Sequence, residues 1–158
     1  MLCWVDSMNR LPLEALEQIY SQGLRGNVDR ESYNRSVNDF LNYLRLDFFP
    51  QGGRYCLWEE KGSYVAAVRF FPFKDGLLLA GLETAPAHRR KGFATRLLQA
   101  ALCDLDSKET LPIYSHVRID NKPSLRIHQA CGFKVAFDHA VLLDGTISSR
   151  YFTLLRSL

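Results

Sequence analysis

The residues best suited to chemistry fall in two short stretches of the 158-residue chain and in a few polar side chains around them. The first stretch is Leu82-Glu83-Thr84-Ala85-Pro86-Ala87-His88-Arg89-Arg90-Lys91-Gly92-Phe93-Ala94-Thr95, where an apolar run ends, a basic glycine-bearing loop follows and a long amphipathic pattern begins. A helix opening at that point offers unpaired N–H groups and the positive end of its dipole, and Arg89, Arg90 and Lys91 add charge beside it. Gly92 lets the backbone come close to a guest, and Ala94 keeps the next turn small. The expected guest is an anion, a pyrophosphate above all. A basic loop on its own also fits a solvated surface turn, so a second feature must decide between the two. Neither G-x-x-x-x-G-K-[ST] nor G-x-G-x-x-G occurs, which removes motif support for nucleotide hydrolysis and dinucleotide binding.

The second stretch is Asn121-Lys122-Pro123-Ser124-Leu125-Arg126-Ile127-His128-Gln129-Ala130-Cys131-Gly132-Phe133. Pro123 suits the first turn of a short helix, and Gly132 ends it. Taken together, the two stretches resemble the GNAT acetyltransferase family. Arg89, Gly92 and Ala94 match its helix-opening signature, and Asn121, Ser124, Leu125, Gly132 and Phe133 match its later segment. The resemblance in element order covers nearly the whole chain.

That resemblance implies acetyl-CoA as acetyl donor and direct transfer to a primary amine in a ternary complex. It implies a sheet splayed between the strand ending near Thr84 and the strand ending near Arg118, with the pantetheine arm in the opening. Backbone groups near Leu82 and Thr84 would bond the arm. The pyrophosphate would meet N–H groups from Arg89 through Arg90, Lys91, Gly92 and Phe93 to Ala94, with Thr95 on the same turn, and Asn121 and Ser124 would lie toward the reactive end. The implied acceptor is a small-molecule or peptide amine. No metal is expected.

A lysine-like amine, with a pKa near 10.4, is almost wholly protonated at neutral pH, so a base is useful and the departing thiolate calls for an acid. His116 is a candidate base, or else one of Tyr114, His116 and Arg118 on the polar face of an alternating strand. His128 stands where the family most often has a tyrosine acid, and the other reading is a hydrogen-bonded core residue. Glu83 is a third candidate, its alternative being an ion pair with Arg89 or Arg90.

The elements that must position these groups follow from periodicity. Leu11 to Gln22 carries Leu13, Leu16 and Ile19 at helical spacing with Gly23 as the stop, and a polar linker spans Gly23 to Asn27. Asp29 caps a second helix with Val37, Phe40, Leu41 and Leu44 on one stripe, ended by Pro50-Gln51-Gly52-Gly53. Tyr55 to Glu60, Ser63 to Phe73 and Leu77 to Thr84 read as a three-stranded meander. A helix over Lys91 to Asp106, a strand over Ile113 to Ile119, the short helix to Cys131 and two strands flanking Asp144-Gly145 complete the chain. The fold expected is a single mixed α/β domain over residues 1–158: a mostly antiparallel sheet with one splayed parallel pair and helices on both faces.

With 47% hydrophobic residues, including ten Phe and seven Tyr, the chain can bury a core. A net charge of +3 does not argue for nucleic acid, and neither a recognition helix nor an aromatic stacking platform accompanies the cations. Cys3, Cys56, Cys103 and Cys131 show no C-x-x-C pairing and read as reduced, structural thiols. No membrane-spanning run and no leader pattern is seen, so the expectation is a cytoplasmic protein, of bacterial pattern. The strand Val65 to Phe73 is either core or an apolar edge for a partner, and the resembling family leaves room for a homodimer. The competing function is a CoA-binding sensor that has lost turnover.

Overall fold

The computed structural model describes residues 1–22 and 29–157, so the expected linker Gly23 to Asn27 and the stop at Gly23 lie outside the described residues. Four strands form an antiparallel meander: β1 (Leu2–Val5), β2 (Arg54–Glu60), β3 (Ser63–Phe73) and β4 (Gly76–Thr84). Helices α1 (Leu13–Ile19) and α2 (Arg30–Tyr43) lie between β1 and β2 in the chain. The Asp29 carboxylate accepts the Ser32 N–H at 2.8 Å, the N-cap its position predicts. No residue of α2 is fully buried; of the predicted stripe Phe40 packs against the core and Leu44 is buried in it, in a π-helical turn over Leu44–Phe48.

Helix α3 (Phe93–Asp106) crosses from β4 to β5 (Ile113–Arg118), and the two strands run parallel, as the strand-helix-strand spacing requires. After α4 (Lys122–Ala130) the structure departs from expectation. Only a two-residue pair, β7 (Ala140–Val141) and β8 (Ile147–Ser148), flanks the Asp144-Gly145 turn, as a separate hairpin. β6 (Lys134–Phe137) and β9 (Tyr151–Arg156) join the main sheet, whose order is β1-β2-β3-β4-β5-β9-β6. A turn signal fixes only its own neighbours. What draws β9 between β5 and β6 is burial of Leu154 and Thr153 at 1% and 4% exposure.

Two cores form on opposite faces of the sheet. Helix α3 packs Leu97, Leu98, Ala101 and Leu105 against Val68, Phe70, Leu79 and Val117, while α1 and the turn after α2 cover Tyr55, Leu57 and Ala67. Val65 to Phe73 is interior, paired on both sides by β2 and β4, which removes it as a free edge. All four cysteines are free; Cys56 and Cys131 are buried, Cys3 is partly exposed, and Cys103 is exposed on the outer face of α3 and so has no structural role in the core. Among the described residues no helix is long and apolar enough to cross a membrane.

The feature that shapes the site is the short reach of the parallel pairing. β4 and β5 pair only over Leu77↔Ile113, Leu78↔Tyr114 and Leu79↔Ser115. Beyond that, β4 carries a bulge, since Ala67 and Arg69 on β3 oppose Glu83 and Ala80. The extra residue bends β4 away from β5 and opens the sheet.

The pairing begins at a close approach. The Leu77 N–H donates to the Pro112 carbonyl at 3.0 Å, and a Cβ added at Gly76 would stand 1.9 Å from that same oxygen. Gly76→Ala is therefore expected to destabilise the fold by about 2 kcal/mol or more, lowering Tm by roughly 4 to 8 °C. A thermal melt at the wild-type midpoint would contradict this account of the pairing.

Candidate functional site

Past Leu79 and Ser115 the sheet opens into a cavity of about 600 Å³ that runs to the start of α3. The expected cofactor residues Leu82, Thr84, Arg89, Arg90, Gly92, Phe93, Ala94, Thr95, Asn121 and Ser124 line it, and so does Glu83. Lys91 is not part of the lining; its ammonium donates to the Ala87 carbonyl at 3.2 Å. His88, Pro123 and Ile127 also line the cavity. Their apolar or aromatic character within the two motifs was the available signal, though nothing in their spacing set them apart.

At the head of the cavity no side chain caps α3. Its first N–H groups, from Phe93 on, have no partner within the helix, and this is the donor array an anion needs. Arg90 and Gly92 both hold left-handed backbone, φ 59° and 78°. For Gly92 that costs little, whereas Arg90 carries strain of about 1 kcal/mol, the kind that persists in loops shaped for a ligand. A Cβ at Gly92 would meet nothing within 4 Å, so the space beside it is open. Arg89 is held in place by several acceptors. Its Nε donates to the Thr84 carbonyl at 3.2 Å, one Nη donates to Gln22 Oε1, and the other lies 3.5 Å from Glu83. The open N–H array, the clear space and the anchored guanidinium fit the diphosphate of a CoA donor.

Of the predicted alternatives for Glu83, the ion pair with Arg89 forms. Burial pushes the Glu83 carboxyl up, and Arg89 opposes the rise without cancelling it. Asn121 caps α4 by accepting the Ser124 N–H at 3.2 Å, so the residue that lines the cavity also fixes the helix beside it.

The two histidines lie on opposite faces of β5. Ile113, Ser115 and Val117 point to the α3 side, and Tyr114, His116 and Arg118 to the other, as strand alternation predicts. His128 is 1% exposed and does not line the cavity. Its Nδ1–H donates to the Ser124 carbonyl at 2.8 Å, and its Nε2 accepts from the Ser115 hydroxyl at 2.9 Å. Burial lowers its pKa, a direction that the Ser124 carbonyl only partly counters, so the ring is neutral and held at both nitrogens. An acid role would need the imidazolium, which this site disfavours.

His116 lines a second cavity of about 460 Å³ on the far side of the opening, with Ala80, Gly81, Tyr43 and Arg69, closed by Leu142, Leu143 and Asp144 of the β7–β8 turn. Burial first, and then Lys74, lower its pKa, which leaves it a neutral base at pH 7. Tyr20 reaches the same stretch of β4, its hydroxyl donating to the Gly81 carbonyl at 2.6 Å. Arg69 was missed in the sequence, although a lone arginine inside the apolar run Val65 to Phe73 was a visible signal.

Residues 13–133 match the model of the Acetyltransferase (GNAT) family. No curated protein matches the chain. Among solved structures the chain is similar to the PaiA N-acetyltransferase of Thermoplasma acidophilum in complex with coenzyme A, with TM-score 0.69 and 13% identity over 100% of this chain and 99% of that one. It is also similar to the ribosomal-protein-S18-alanine N-acetyltransferase of Escherichia coli, with TM-score 0.65 and 15% identity over 99% and 94%. An aminoglycoside 6'-acetyltransferase type Ii aligns with TM-score 0.68 and 14% identity over 99% and 96%. At these identities the likeness speaks to the fold alone.

The His128 environment has a consequence for stability. Because its charged form is disfavoured only in the folded state, the unfolded chain binds more protons below the ordinary histidine value of 6.5. Stability should fall as pH drops through that value, and His128→Asn should make the fall shallower. Unfolding midpoints measured from about pH 8 to about pH 5 check this, and identical slopes for variant and wild type would contradict it.

Proposed function

The chain belongs to the GNAT acetyltransferase family, and on that premise we propose that it moves the acetyl group of acetyl-CoA directly to a primary amine, donor and acceptor being bound together on either side of the splayed strands. The observation that carries this reading is the pair of cavities lined by successive stretches of β4, one headed by the uncapped α3 and the other holding a neutral histidine. Acetyl-CoA supplies an activated thioester carbonyl.

The roles of this chain's own residues follow from charge and position. Arg89 and the N–H groups at the start of α3 bind the diphosphate, and Leu82 and Thr84 flank the arm. His116, on the acceptor side, takes the proton from the incoming ammonium. Glu83 lies on the donor side and is engaged with Arg89, so its part is to orient that guanidinium. Ser124 stands beside the expected leaving sulfur with a hydroxyl to offer, and His128 acts as a positioning residue by fixing the first turn of α4 through the Ser124 carbonyl. Four free cysteines with no disulfide among them support a cytoplasmic setting.

Thiol release from acetyl-CoA, measured with an amine panel across pH, tests these assignments. With the best acceptor, kcat/KM should rise through an ionisation below the ordinary histidine value, reflecting the lowered pKa of His116. His116→Gln should lower kcat by about 100-fold or more and remove that limb, leaving the KM for acetyl-CoA unchanged. Glu83→Gln should keep the limb and raise that KM instead. If the limb vanished in Glu83→Gln and survived in His116→Gln, the base would be Glu83.

A further inference from the structure

Arg69 leaves β3 toward the acceptor-side cavity, and among the described residues no carboxylate pairs with it. Its Nε is buried and unpartnered, one Nη donates weakly to the Tyr55 hydroxyl at 3.4 Å, and its guanidinium carbon lies 5.2 Å from the Phe40 ring centre and 5.8 Å from that of Tyr43. Its polar contact among the described residues is with that phenol alone. The surrounding phenols do not supply the charge: burial above all pushes both Tyr20 and Tyr55 up, keeping them neutral. Asp144 lines the same cavity but is exposed and accepts the Thr146 N–H at 2.9 Å. A half-buried guanidinium faced by neutral rings, with one buried donor unfilled, is costly unless an anion completes it.

The position of that charge limits the ligand. Its central carbon and Nε lie 3.6 Å from the point where a side chain on Gly81 would begin. Gly81 belongs to the part of β4 that has already left β5, so the guanidinium borders the opening in which the donor arm would lie. An anion bound there would lie beside that opening and beside His116, which lines the same cavity.

We infer that the acceptor is a free amino acid, whose carboxylate pairs with Arg69 while its amine faces His116 and the opening. The inference rests on acetyl transfer at this site. In the reaction the amino nitrogen forms a bond to the acetyl carbon, the C–S bond breaks, the nitrogen gives up a proton and the CoA sulfur leaves as thiolate and takes one. Arg69 is a specificity residue here, touching the acceptor away from the reacting atoms, and a fork of two N–H donors on one carboxylate gives it geometric selectivity.

Thermal unfolding with CoA present, plus L-amino acids or their α-carboxamides, tests the pairing without needing turnover. Free acids should raise the midpoint, carboxamides should not, and Arg69→Gln should abolish the rise. In turnover the acid should exceed its carboxamide in kcat/KM by about 10- to 100-fold, with the preference lost in Arg69→Gln, partly kept in Arg69→Lys, and the acetyl-CoA KM unmoved. Equal shifts from acids and carboxamides, no shift from any amino acid, or a preference that survives in Arg69→Gln overturns the proposal. The comparison of acid with carboxamide in the wild type decides even if the variants fail to fold. A midpoint unmoved by CoA alone would count separately, against acetyl transfer.

Discussion

Everything at the site depends on two parallel strands that pair for three residues and then part. Leu77 to Leu79 hold Ile113 to Ser115, and the bulge on β4 then turns the backbone away. Parallel strands normally satisfy each other's N–H and C=O groups along their length, so a parting leaves an edge that must find other partners. Here part of the debt is met within the chain, as Tyr20 bonds the Gly81 carbonyl and Arg89 bonds that of Thr84. What is left open is a slot through the sheet, with a cavity on each side.

The slot separates two electrostatic environments. On the α3 side, helix N–H groups and Arg89 gather positive potential where a diphosphate would lie, and Asn121 and His128 lock the neighbouring helix by hydrogen bonds. On the other side, His116 and Arg69 stand among aromatic rings, and burial keeps the histidine and the nearby phenols neutral. Among the described residues, Arg69 is the charged side chain whose bonding is incomplete at a buried atom. A ternary complex needs this division, with a charged grip on the donor and a drier, more selective seat for the acceptor.

Much of the donor side was legible in the sequence because its signals are local. A basic loop before an amphipathic helix and a proline-led helix state their own geometry, and the cap at Asp29 falls where the residue predicts, whereas the cap at Asn121 is visible only in the fold. The opening and the acceptor side were not legible in this way. The bulge on β4, the insertion of β9 between β5 and β6 and the Ser115–His128 contact are set by pairings distant in the chain. His128 shows the limit well: its place in the motif suggested a reactive ring, and only the fold reveals that both nitrogens are already engaged. Arg69 gave a faint signal as a charge inside an aromatic strand, but which cavity it borders depends on β4 and α2 together.

The most direct test of the central claim, that the opened strands and the uncapped α3 form a CoA cradle, is calorimetric titration of acetyl-CoA into the wild type and into Gly92→Trp, whose side chain would fill the clear space at the helix start. The account predicts micromolar-range binding to the wild type, roughly −8 kcal/mol, and a loss of most of it in the variant, whose thermal midpoint should fall by only a few degrees because a non-glycine residue is strained at φ 78°. No binding to the wild type, or equal binding to both proteins, would contradict it.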